Sequence, residues 1–140
     1  MKYLLTIMMV LILAVPSWAM SWQDTNQVTI AWDAPTALSN GAPLPDGNTL
    51  SYVVYLAPQD SKTDKFEIGT TSQSEYTITV DTEGRYLVGV KAKRMDANGN
   101  KLSESIIAWS DNPDMVAGDQ FGIVHFFSPS AVGGLQPITE

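Results

Sequence analysis

The sequence predicts an all-β chain folded as an antiparallel sandwich, on three observations. Beyond the first 19 residues apolar positions recur at period 2, no stretch carries a helical period, and Gly, Pro, Asn and Asp break the runs at short intervals. Strands of this kind expose one apolar face each, and packing two such sheets together buries both.

The first strand signal is Val28, Ile30 and Trp32, alternating with Thr29 and Ala31 until Asp33-Ala34-Pro35 stops the run. Residues 36–49 hold Asn40-Gly41, Pro43, Pro45 and Asp46-Gly47, which read as a long loop with two turns. Tyr52, Val54 and Leu56 mark the next strand, ended by Ala57-Pro58. Phe66 with Ile68, and Tyr76 with Ile78 and Val80, mark two more, and Tyr86, Val88, Val90 and Ala92 give the clearest alternation of all. Asn98-Gly99 is the preferred dipeptide of a two-residue hairpin turn, with Ser103–Trp109 as the returning strand. A sandwich is complete at that point, so the residues after Trp109 stand apart as an extension. In it Asn112-Pro113 opens a loop, Phe121–Phe127 is apolar and strand-like, and Ser128-Pro129 and Gly133-Gly134 come after.

The N-terminus predicts export. Met1-Lys2-Tyr3 is a short basic start, Leu4–Val15 is apolar, and Ser17 and Ala19 supply the small residues of a cleavage site. The apolar run is too short to serve as a transmembrane helix. The expected organisation is a signal peptide over 1–19, a sandwich domain over 20–111 and a C-terminal extension over 112–140, in a protein of the periplasm or the cell exterior. With 15 Asp and Glu against 8 Lys and Arg, a formal charge of −7, the chain has no electrostatic footprint for nucleic acid or for an anionic membrane surface. It has no cysteine, which excludes disulfide frameworks, thiol catalysis and cysteine zinc sites. At 44% hydrophobic and 16% charged residues it lies in the ordinary globular range.

In order and spacing these segments resemble a fibronectin type III domain of the bacterial exported type. Trp32 with Asp33-Ala34-Pro35 is similar to the family's second-strand tryptophan and the proline that ends that strand. The segment Asp46–Tyr55 looks like its loop and third strand, Glu83–Ala92 like its sixth strand, and Asp96–Ser105 like its last hairpin. The resemblance covers roughly residues 26–111 and implies an immunoglobulin-like sandwich. In it Trp32 would fill the centre between sheets about 10 Å apart, and Tyr86 would be a corner tyrosine bonded to backbone near Asp81 or Thr82. One departure is notable. Only Met20–Gln27 precedes the tryptophan strand and it alternates poorly, so the first strand is short or missing and an open edge lies beside the second. The Arg-Gly-Asp tripeptide of some members does not occur, so integrin-type adhesion is not implied.

Candidate chemistry is sparse. His125, the only histidine, would need a nucleophile and an orienting acid to act as a base; its neighbours are Val124 and Phe126, and it reads as a packed or edge residue. Asp96-Ala97-Asn98-Gly99-Asn100 resembles the start of a calcium loop, but the twelfth position, where a glutamate ligand is required, is Ile107. A hairpin explains the segment without metal. No catalytic, cofactor-binding or metal-ligating residue is therefore expected, and no cofactor.

What the sequence offers instead is apolar surface. If Tyr52, Val54 and Leu56 face the core, Val53 and Tyr55 face outward, with Leu87 of the same parity and either Ile107 with Trp109 or Ile106 with Ala108 beside them. The candidate interaction surface comprises Val53, Tyr55, Leu87, Trp109, Phe121, Ile123, Phe126 and Phe127. A carbohydrate platform, a protein interface and cover by the chain's own tail all fit such a patch. Two or three coplanar aromatics suit a sugar, and only Tyr55 and Trp109 qualify. The expected function is a non-catalytic exported binding or assembly module acting through protein–protein contacts, with a carbohydrate-binding module as the alternative. The expected partner is a protein, including a second copy reached through the C-terminal segment. Phe121–Phe127, free of charge and proline, would add to a sheet edge or cover the patch, and a short tether favours docking within one chain over docking between chains.

Overall fold

The computed structural model describes residues 19–138; the expected signal peptide, Ala19 apart, lies outside the described residues. The chain is all-β. Its strands are β1 Ser21–Asp24, β2 Gln27–Ala31, β3 Thr49–Pro58, β4 Phe66–Thr71, β5 Glu75–Thr79, β6 Gly84–Met95, β7 Lys101–Glu104, β8 Ala108–Trp109 and β9 Phe121–His125, with a short 3-10 turn at Lys62–Asp64. Among the described residues no helix is long and apolar enough to cross a membrane.

Two sheets form. The larger runs β1-β9-β6-β3-β4, with β7 and β8 also paired to β6, and the smaller is the antiparallel pair β2-β5. Alternation places Val54 and Leu56 of β3, Tyr86 and Val88 of β6 and Ile123 of β9 against Ile30 of β2 and Ile78 of β5, in one buried cluster. Leu56, Ile78, Ile123 and Val54 are at most 2% exposed, and each contributes about 1.5–3 kcal/mol by leaving water. The sheets are joined along one side by Tyr76 of β5, whose hydroxyl donates to the Ile68 carbonyl of β4 at 3.1 Å. At one end the Tyr86 hydroxyl lies 2.8 Å from Thr82 Oγ1 and donates to the carbonyls of Thr82 and Glu83 at 3.3 and 3.2 Å.

Several expectations need correction. The sandwich is not complete at Trp109. β7, β8 and β9 lie end to end along one edge of β6, pairing with residues 93–95, 89–90 and 84–86 in turn. The Phe121 N–H donates to the Ser110 carbonyl at 3.0 Å, so residues 111–120 are an excursion after which the same line resumes. Phe121–His125 is thus the final part of the last strand, docked within its own chain, and not a cover over the outer face. The expected all-antiparallel pairing also fails at one place. β1 exists but joins the larger sheet, parallel to β9, instead of lying beside β2. The Asn98-Gly99 turn is longer than two residues. The Asp96 N–H donates to the Asn100 carbonyl at 2.9 Å around a three-residue loop in which Gly99 takes φ +83°, the wider hairpin that ends in a left-handed glycine. Trp32 is half-buried at the rim, edge-on to Tyr52 with ring centroids 5.1 Å apart, and the centre belongs to the aliphatic cluster.

Candidate functional site: the open edge of β2

Among the described residues β2 pairs with β5 and with nothing else. The Val80 N–H donates to the Asn26 carbonyl and the Trp32 N–H to the Ser74 carbonyl, so in this antiparallel ladder the even-numbered residues 26–32 turn their backbone groups toward β5. Gln27, Thr29 and Ala31 turn theirs outward. At Gln27 the need is met locally: Thr25 Oγ1 accepts from the Gln27 N–H at 3.1 Å and donates to its carbonyl at 3.0 Å. Thr29 and Ala31 have no such cap among the described residues, and they leave a row of free donors and acceptors.

The space beside this edge is a groove of about 620 Å³. One wall is Ile30 and Trp32; the floor includes Tyr52 and Val90; the far wall is Ala108 and Ser110 with Met115 and Phe121 around the 111–120 excursion. Asp33 and Asp119 line it, and among the described residues no lysine or arginine does. The Trp32 indole N–H is buried here without a partner among those residues.

The outer face of the larger sheet is occupied. The Trp109 side chain lies over Gly89 so closely that a Cβ there would meet it at 2.8 Å, and Trp22 lies over Gly122 in the same way at 2.5 Å. Lys62 caps the Trp109 ring at 5.8 Å and pairs with Asp111 at 2.8 Å. Arg85 caps Trp22 at 5.2 Å, and Lys91 caps Tyr55 at 5.6 Å while pairing with Glu104 at 3.1 Å. Tyr55 and Glu104 hold the Lys91 ammonium above the ordinary lysine range, and Lys91 with Lys101 holds the Glu104 carboxyl below its own.

The residues grouped from sequence as one surface are therefore dispersed. Val53 and Leu87 are 3% and 2% exposed beneath the outer-face cover, and Ile123 is fully buried in the core. Tyr55, Trp109 and Phe121 are half-buried, the first two on the outer face and Phe121 in the groove. Phe126 and Phe127 lie beyond β9, 57% and 64% exposed. These eight do not form one patch. The outward-facing positions are covered because segments distant in sequence close over them, which period 2 cannot reveal. His125 packs edge-on against Phe127 at 5.1 Å, and among the described residues no three His, Asp or Glu side chains are placed to hold a metal ion. Asp96 Oδ1 accepts from the Asn98 and Asn100 N–H groups and Oδ2 from the Asn100 amide, which ties both oxygens into the turn.

Thr29, Ala31 and Met115 lie outside the surface expected from sequence. One signal was available for the first two: Gln27–Trp32 is a strand without a charge, a proline or a glycine, and such a strand left at an edge is unguarded. Comparison with protein-family models, with curated proteins and with solved structures gives no match.

Proposed function

We propose that the protein is a non-catalytic, exported module of the fibronectin type III kind that works by protein–protein contact, taking an extended polypeptide as an added strand on β2. The observation that carries this reading is the pairing of the uncapped Thr29–Ala31 edge with the adjacent groove. Edge addition uses backbone bonds for affinity and side-chain pockets for selectivity, and both are side by side here. The division of strands into β2-β5 and β4-β3-β6-β7/β8, with the Tyr86 corner between, supports the family assignment. The signal-like N-terminus supports export. Tyr55 and Trp109 are capped by lysines on one face and so are not a bare stacking platform, which favours a polypeptide over a sugar.

The test is selection of displayed random peptides on the immobilised protein, with an Ala31→Pro variant as counter-screen. The Ala31 N–H makes no ladder bond, so proline fits that edge position and removes only the docking donor. Peptides with a proline-free apolar centre that bind the protein and not the variant are expected. Failure to enrich any peptide, or binding indifferent to Ala31→Pro, contradicts the reading.

A further inference from the structure

We propose that the strand taken by β2 is residues 130–136 of a second copy, so that the protein assembles head to tail; this rests on the reading of β2 as a docking edge. The first support is an unmatched segment. Residues 126–138 leave the fold without strand or helix, and Val132, Leu135 and Ile138 are 86%, 91% and 95% exposed. Leu135, held this far into water on a chain whose described residues leave an apolar groove uncovered, supplies the side chain that groove lacks.

The chemistry of the segment suits the edge. Ser130-Ala131-Val132-Gly133-Gly134-Leu135-Gln136 contains no proline and is bracketed by Pro129 and Pro137, so its N–H groups are all available to Thr29 and Ala31 while the prolines limit the pairing to its middle. Extended, it places Ala131, Gly133 and Leu135 on one face. That face is apolar, narrow at the glycine and bulky at Leu135, which lets the backbone approach β2 and sends one anchor into the groove toward Tyr52 and Val90.

Charge narrows the choice of occupant. Asp33 and Asp119 line the groove with no cation beside them among the described residues, in a protein of formal charge −7. Most segments of an acidic partner would be repelled there; residues 126–138 carry no charge at all. β1, with Asp24, and β4, with Glu67, each carry a charge in the strand itself, and β2 does not.

Direction argues for a second copy over the chain's own body. β9 starts with Phe121 in the groove and runs away from it, to His125 opposite Gly84. The Phe127 N–H donates to Glu83 Oε1 at 2.7 Å, which fixes the exit at that end. The tail thus leaves the body about 13 Å along β9 from the groove at the strand rise and heading away from it, so the chain would have to reverse to reach its own edge. The contact between copies is heterologous and propagates unless its rotation closes a ring.

Light scattering across a wide concentration range tests this on the full chain. Mass is expected to rise to at least twice the monomer. Leu135→Asp and Ala31→Pro are each expected to hold the protein at monomer mass; the first lies outside the folded body and cannot act by unfolding it. A mixture of the two is expected to form a one-to-one pair and stop, because one supplies only a donor and the other only an acceptor. A full chain that stays monomeric at every concentration overturns the proposal, as does assembly unchanged by Leu135→Asp. Displayed peptides that still bind β2 in that case would leave the docking reading standing and remove the second copy as its partner.

Discussion

Tyr86 joins the two sheets at one end through a hydroxyl shared among Thr82 and Glu83 groups, and its ring is 8% exposed. Removing the oxygen takes away bonds to two residues that are themselves exposed and can turn to water. Tyr86→Phe is expected to cost about 0.5–1.5 kcal/mol in urea unfolding, with little change in the slope of the transition. Asp96 acts through its charge instead. The Asn100 backbone N–H and side-chain amide, then the Asn98 and Gly99 N–H groups, hold its carboxyl below the ordinary carboxylate range. A group depressed in the folded state stabilises above its unfolded value and loses that contribution as pH falls through the folded one. The advantage of the native protein over Asp96→Ala is thus expected to be constant near neutrality and to shrink below about pH 4. Thermal melting of the two proteins across that window checks it; an advantage that grows on acidification would show that the turn does not hold the carboxylate.

At the scale of elements, β9 turns a tail into part of the core. It supplies Ile123, the partner of Tyr86 in the ladder, and among the described residues it is the only strand to which β1 pairs. Deleting residues 119–140 is expected to cost at least about 3 kcal/mol, the range of a large core truncation, whereas deleting 128–140 is expected to leave stability within about 0.5 kcal/mol. Equal melting of both truncations would show that β9 holds nothing. Much of this level was legible in sequence. Tyr52, Val54, Leu56, Ile78 and Val88 are buried where alternation puts them, and the segment before Tyr86 marks the corner. Alternation, however, is a local signal and reports faces, not neighbours. It cannot show that pairing along β6 resumes after the 111–120 excursion, nor that Trp109 and Lys62 close over the face bearing Leu87. It could not seat Trp32 either, because a large ring at a rim and one at a centre have the same parity. The open edge was legible from the shortness of the chain before β2; the groove was not, because its far wall comes from Met115 and Phe121, more than eighty residues along.

The whole molecule is a sandwich closed on one side and open on the other. Tyr76 ties β5 to β4, the Tyr86 corner ties one end, and lysine- and arginine-capped aromatics cover the outside of the larger sheet. Beside β2 there is no first strand among the described residues, since β1 pairs with β9 in the other sheet. Among the described residues, an edge without charge, a groove without a cation and an uncharged exposed tail are the features left over once the fold is accounted for. Amide hydrogen exchange along β2 in dilute protein tests this most directly. The Thr29 and Ala31 amides are expected to exchange far faster than those of Val28 and Ile30, and to become protected as the protein is concentrated. Uniform protection of all four in the dilute monomer would mean that the edge is already covered, and would contradict the account.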